Sequence, residues 1–365
     1  MKGTALKRKS FRKIQVATGL ALCATLITAC DPPMPPELLA QLAEQSYTCY
    51  EGDTTALAES TNEAIVSTLA ESLSAACTGE LPQMTMSAAE NEASADMVIS
   101  ASPVSECRPF AKVPYGFDAG VVAYNVEGTD SLNLSYKNLA AVLNGQITQW
   151  NDQALAKDNP DLTLPDVEIL VRKVADRNSL RALATALEYQ SATLDEGQFE
   201  TTNFFDGTVP EELQPGEIAI VPNSVAVANG YSSIGLLSGK KDPETGEKLF
   251  ANATEESLYA AGTQLVSESG KNEISVYVDP KVAVKAMFEG EAPSVPYQAI
   301  FPLNLYLCGE DTKLKRAVAA FVLRLDSQGA LGYLNISQLP ESIRYSSVGL
   351  VRQGLPVPKV SKKSE

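Results

Sequence analysis

Three cationic side chains, Lys173, Arg177 and Arg181, fall within one short stretch and are interleaved with the small polar residues Asp176, Asn178 and Ser179. The apolar run Glu168-Ile169-Leu170-Val171 precedes them and a helical pattern over residues 178–189 follows. A strand that ends in a polar loop and re-enters as a helix presents first-turn N–H groups with no partner inside the helix. Those groups carry partial positive charge and suit an anion. Lys and Arg donors make hydrogen bonds roughly twice as strong as neutral ones. The chemistry legible here is capture of a small anion. The same residues also fit a capped surface helix whose arginines pair with Asp176 or Glu188.

Other chemistries are excluded by composition. The chain of 365 residues contains no histidine, so it has no Ser-His-Asp or Cys-His arrangement and no HExxH zinc site. Ser238-Gly239-Lys240-Lys241 matches SxxK but has no KTG or SDN partner. Residues 235–240 fall one short of a Walker A loop, and no Asp-x-Asp calcium loop occurs. The expectation is a protein that is not an enzyme and needs neither metal nor cofactor. A formal charge of −16 also argues against nucleic acid as a partner.

That charge is unevenly spread. Residues 1–29 hold six basic side chains and no acidic one, and the remainder carries 23 basic against 45 acidic residues, a net of −22. An apolar run over residues 16–27 is too short for a membrane-spanning helix, which needs about 20 residues, but suits a signal peptide. It ends in Ile27-Thr28-Ala29-Cys30, similar to the bacterial lipobox, which makes Cys30 the lipidation site and anchors the exported protein to the outer face of the cell membrane. The proline-rich residues 30–46 read as a tether. Cys49, Cys77, Cys107 and Cys308 then remain. An even number in an exported chain indicates two disulfides with three open pairings, of which Cys49–Cys77 with Cys107–Cys308 is favoured.

The elements that must position the anion-site residues alternate between strand and helix. Strands are expected at residues 47–51, 84–88, 96–101, 120–126, 168–171, 218–221, 234–237, 274–279 and 298–307, and helices at 61–75, 136–144, 178–189 and 313–325. Residues 239–248 read as a polar surface loop and residues 351–365 as a disordered tail. Alternation of this kind predicts α/β layers with mostly parallel sheets, and the length predicts two compact units.

One stretch is far more specific. Residues 134–173 include Gly145, Ile147, Trp150, Asn151, Asp152, Asn159, Pro160, Leu164 and Pro165. At this spacing the segment resembles the phosphate-binding protein of the bacterial phosphate ABC transporter. Residues 114–126, Ser232-Ser233-Ile234-Gly235-Leu236 and Gly329-Ala330-Leu331-Gly332-Tyr333 with Leu339-Pro340-Glu341-Ser342 are similar to further segments of that family. The resemblance implies a two-lobed periplasmic-binding-protein-like fold of type II, each lobe a mostly parallel sheet flanked by helices. Residues 47–118 plus 298–350 would form lobe I and residues 119–297 lobe II, with a hinge near 115–120 and 297–301. It implies a monomeric solute-binding protein that gives phosphate or a related oxyanion to an ABC permease.

The implied ligand residues depart from the family. Lys173 stands where an arginine pairs with phosphate, and Arg177, Asn178 and Ser179 stand where Ser-Gly-Thr is usual. Ser102 lies near the place of an acidic acceptor, Thr54 and Thr55 fit the first loop, and Ser87 lies where a further hydroxyl is expected. These substitutions favour an alternative: a binding-fold surface lipoprotein with an interaction or sensory role and no small-anion transport.

Overall fold

The computed structural model describes residues 47–59, 63–129, 131–202, 212–286, 289–290 and 294–356. The leader, Cys30, the tether and residues 357–365 lie outside the described residues. From the N-terminus the chain forms β1 (Gly52–Ala58), α1 (Glu63–Ala76), β2 (Met84–Ala88), β3 (Met97–Ser100), the long β4 (Pro109–Tyr124), β5 (Asn133–Leu134), α2 (Tyr136–Leu143) and α3 (Gln153–Asp158). The middle contributes β6 (Leu170–Val171), β7 (Val174–Asp176), α4 (Arg177–Tyr189), β8 (Glu200–Thr202), β9 (Glu217–Pro222), α5 (Asn223–Ala228), β10 (Ser232–Ser233), β11 (Gly235–Lys241) and β12 (Lys248–Ala251). The last part holds α6 (Glu255–Gly262), β13 (Leu265–Ser269), β14 (Ile274–Val278), β15 (Ile300–Cys308), α7 (Lys313–Val322), α8 (Leu325–Gln328), β16 (Ser337–Gln338) and α9 (Glu341–Val351).

A single large sheet runs through both lobes in the order β2-β1-β3-β15-β4-β9-β6, with β10 and β16 also paired to β4. Its wings are parallel: β1 pairs with β2 and β3 in lobe I, and β6 pairs with β9 in lobe II. The centre is antiparallel because β4 and β15 cross between lobes in opposite directions, with Ile300 opposite Ala119 and Leu303 opposite Gly116. From Val113 to Tyr124 every residue of β4 is buried, as expected of a strand covered on both faces.

Two apolar cores flank this crossing. One gathers residues up to Tyr115 and from Leu303 onward together with Ile274, and includes Ile65, Leu69 and Leu73 of α1, whose spacing puts them on one helical face. The other runs from Phe117 to Ile300 and includes Leu139, Trp150, Leu183 and Leu187. Disulfides join Cys49 to Cys77 and Cys107 to Cys308, the favoured pairing.

Four local expectations shift. Residues 47–51 are not a strand; Cys49 is pinned to Cys77 and the ladder starts at Gly52 opposite Met84. The loop expected at 239–248 is shortened, since Lys241 pairs with Lys248 and Asp242 Oδ1 closes the turn by accepting from the N–H groups of Glu244 and Thr245. The helix expected over 313–325 breaks after Val322 and restarts at Leu325, where Ser327 Oγ donates to the Phe321 carbonyl. Val351 is fully buried at the end of α9 and Leu355 packs on the core of lobe I, so ordered chain continues past the expected start of the tail.

Candidate functional site between the lobes

Ligands of open α/β sheets sit beyond the carboxyl ends of the strands, and here those ends converge on the seam between the lobes. Lobe I contributes Glu59 after β1 and Ser100, Ala101 and Ser102 at the end of β3. Asp118 comes from β4, Asp176, Asn178 and Ser179 from the β7–α4 turn, and Asn223 and Ser224 from the start of α5. Glu59, Asp118, Asp176 and Asn178 line a small cavity of about 10 Å³, room for roughly one water molecule.

Each carboxylate holds a local set of donors. Glu59 Oε1 accepts from Ser100 Oγ at 2.7 Å and from the Ala101 N–H at 2.9 Å. Asp118 Oδ1 accepts from the Ala119 N–H at 2.7 Å and the Ser224 N–H at 3.3 Å, and Oδ2 accepts from Ser224 Oγ at 2.5 Å. Asp176 caps α4, its Oδ1 accepting from the Ser179 N–H and Ser179 Oγ, both at 2.7 Å. All three groups are buried. Desolvation is the main reason that each titrates above the ordinary carboxylate range, and for Asp118 burial raises the pKa to about 7. Repulsion from Asp176 adds to the shifts of both Glu59 and Asp118.

Of the residues expected at a ligand site, the fold brings three to this seam. Asn178 Nδ2 donates across the lobes to Ser102 Oγ at 3.1 Å, and Ser179 lies behind them, fully buried. Thr54 and Thr55 stand elsewhere, toward the start of β1. There Thr54 Oγ1 donates to the Thr85 carbonyl and Thr55 Oγ1 to the Ser94 carbonyl. With about 3.3 Å per strand residue, both are well removed from Glu59. Ser87 is exposed near the edge of the sheet. The Lys173 ammonium donates to Gln198 Oε1 at 3.0 Å and lies 5.1 Å from the Phe199 ring centre, away from the cavity. Arg177 is exposed at the first position of α4. The cationic half of the expected anion site is therefore not assembled: among the described residues, no lysine or arginine lines the cavity.

Three carboxylates that line the cavity come from other places than Ser102. Glu59, Asp118 and Asp176 are not among the residues expected to touch a ligand; Asp176 reads from the sequence as a helix cap or a partner of the arginines. The available signal was a charged residue set in or directly after an apolar run, as in Leu57-Ala58-Glu59 and Tyr115-Gly116-Phe117-Asp118-Ala119-Gly120-Val121.

The most specific motif is scaffold. Trp150 is fully buried, its indole N–H donates to the Gly216 carbonyl at 3.1 Å, and its backbone N–H donates to the Val167 carbonyl at 3.0 Å. Asp152 caps α3 through the Ala154 N–H, and Asn159 bridges Asn133 and Leu155. Trp150→Phe is expected to lower unfolding stability in urea by about 1–3 kcal/mol, chiefly through the space a smaller ring leaves in the packed core, since the Gly216 carbonyl keeps the Leu170 N–H as a donor, with ligand affinity unchanged. An equal loss of affinity would place the motif in the site.

A curated relative, phosphate-binding protein PstS3 of Mycobacterium bovis (strain BCG / Pasteur 1173P2), is 43% identical over 63 residues, 17% of each chain. PstS 3 of Mycobacterium tuberculosis (strain ATCC 25618 / H37Rv) matches to the same extent, so the chain aligns with only 17% of the length of these relatives. Among solved structures, a phosphate-binding protein from Stenotrophomonas maltophilia is 12% identical with a TM-score of 0.45, covering 82% of this chain and 94% of that one. PstS from Borrelia burgdorferi is 12% identical with a TM-score of 0.39, covering 80% and 100%. The model of the PBP superfamily domain matches residues 38–352, and the chain belongs to that superfamily of binding proteins.

Proposed function

We propose that this chain is an extracytoplasmic, lipid-anchored solute-binding protein that takes phosphate or a related oxyanion between its lobes and presents it to an ABC permease, catalysing no reaction. The observation that carries the reading is the contact of Asn178, in the first turn of α4, with Ser102 of lobe I. Polar groups from both lobes meet there at a helix N-terminus in a PBP-superfamily chain. Phosphate is the ligand named for the proteins it resembles. Lipidation at Cys30, a monomeric state, lobes of residues 47–118 plus 298–350 and 119–297, and a hinge near 115–120 and 297–301 complete the proposal.

The three carboxylates set a condition on the ligand. An anion beside Glu59, Asp118 and Asp176 is held only where protons, its own or theirs, sit between the oxygens. Affinity should therefore rise as the pH falls below about 7, where Asp118 protonates. One observation favours a second reading, a surface lipoprotein with an interaction or sensory role: the donors at the seam are engaged by the protein's own carboxylates. Calorimetry on residues 31–365 with phosphate, sulfate and methylphosphonate at pH 5.5 and 8 separates the two. Saturable phosphate binding, about tenfold tighter at pH 5.5 for one linked proton, is the expected result. No binding of any anion at either pH would sink transport and leave the second reading.

A further inference from the structure

Besides the crossings of β4 and β15, a third piece of chain spans the lobes. The hairpin β13–β14 forms its own two-stranded sheet, with Leu265 opposite Val278 at the base and Ser269 opposite Ile274 near the tip. Its base belongs to lobe II. Leu265 and Val278 pack on the lobe II core. The Asp279 N–H donates to the Gln264 carbonyl at 2.9 Å, and buried Gln264 donates from Nε2 to the carbonyls of Pro280 and Val282. The Tyr189 hydroxyl, at the far end of α4, donates to the Val278 carbonyl at 3.1 Å. The tip belongs to lobe I. There the Lys112 N–H donates to the Asn272 carbonyl at 2.9 Å, the backbones of Lys112 and Glu273 form a single parallel β-bridge, and Ile274, 2% exposed, is a member of the lobe I core.

An isolated two-stranded hairpin is marginally stable in water, so this one is held by its two ends. Five residues per strand reach roughly 16 Å, from Gln264 in one lobe to Lys112 in the other. Any rotation of the lobes about the β4–β15 crossing that separates these two points must bend the hairpin or pull Ile274 out of a closed apolar core. Because Tyr189 ties the base to the helix whose first turn carries Asn178, the hairpin also couples the seam to this outer contact.

We propose that β13–β14 is a strap that limits opening of the lobes, with docking of Ile274 and the Lys112–Asn272 pair as its releasable end. The proposal rests on the reading of the chain as two lobes that part around a ligand. It is tested on residues 31–365 carrying spin labels at Glu71→Cys on α1 and Lys157→Cys on α3, both exposed. Distances are compared between the otherwise unaltered chain, Ile274→Ser, and a variant with residues 267–276 replaced by Gly-Gly. Retained thermal unfolding transitions establish that the variants fold. Loss of one buried branched side chain should raise the open fraction about tenfold or more, adding a longer distance in both variants that is scarce without them. The same long component in all three proteins would overturn the strap while leaving the moving lobes intact. Absence of a longer distance in every protein would overturn both.

Discussion

Gly120→Ala is expected to destabilise the protein by about 3 kcal/mol, at the upper end of the cost of overpacking, and to lower its melting temperature by about 5 °C. Gly120 lies where β4 passes from one lobe to the other, directly under the first turn of α4. A β-carbon there would clash with the Ser179 backbone, including its Cα at 2.7 Å and its carbonyl carbon at 2.9 Å. Neither side can retreat. The Gly120 N–H donates to the Ala299 carbonyl at 2.7 Å, and its own carbonyl accepts from the buried Tyr297 hydroxyl at 3.0 Å. On the other side, Ser179 is held by Asp176 through two bonds. The added methyl should push the start of α4 outward and carry Asn178 away from Ser102, so ligand affinity should fall further than stability. Gly329→Ala is the control: a β-carbon there meets nothing within 4 Å, and the change should fall within about 1 kcal/mol of the parent. Equal melting temperatures for the two variants would show that the close approach at Gly120 is readily relaxed.

Gly120 illustrates what could and could not be read from the chain. Local patterns placed α1, α2, α4 and most of α7, but not α3, α5, α6 or α9. Ile65, Leu69 and Leu73 mark a buried face, and the start of α4 follows from Asp176 as a cap. The motif around Trp150 pointed to the superfamily because its residues make short-range, geometrically demanding contacts: a buried indole on a glycine carbonyl, an aspartate cap, an asparagine bridging two segments. Such contacts tie each position to a residue type, so they survive in the sequence as a recognisable spacing.

The ligand end was less legible. Thr54 and Thr55 fit the first loop that the family resemblance implies, yet a strand has two ends and only the carboxyl end of β1, at Glu59, faces the seam. Lys173 lay only a few residues from the helix start, but its position just before the short strand β7 sends it toward Gln198 and Phe199 instead. The carboxylate cluster depends on partners remote in sequence: Asp118 meets Ser224 at a separation of 106 residues and Glu59 meets Ser100 at 41. No local pattern encodes those meetings. What the sequence did carry was the anomaly of acids within apolar runs, which marks burial and says nothing of what the acids face.

That cluster leads to the second large effect, a loss of stability as the pH rises from about 4 to 7. Asp118 titrates near 7 when folded against 3.8 for the free side chain, and Glu59 and Asp176 are shifted in the same direction, each chiefly by burial. A raised folded pKa means that the native state binds more protons than the unfolded chain throughout this window, so stability falls with rising pH. At about 1.4 kcal/mol per pKa unit, Asp118 alone contributes a decline on the order of 4 kcal/mol. Glu217, Asp311 and Asp326, held below their usual values by arginine partners among other causes, act in the opposite sense. Their stabilisation is lost only on acidification through their own, lower pKa values, so the two sets occupy different windows. Urea unfolding should therefore show greatest stability near pH 4 and a marked drop at pH 8. Asp118→Asn keeps an oxygen for the Ala119 and Ser224 N–H groups and a donor for the Ser224 hydroxyl, yet cannot ionise. It should be close to the parent at pH 4 and more stable at pH 8 by on the order of 4 kcal/mol. A variant that tracks the parent at both values would mean that Asp118 is not the group that destabilises the folded protein as the pH rises. In that case the same titration could not govern anion affinity, and the expected tightening of phosphate at pH 5.5 would have to come from Glu59 or Asp176.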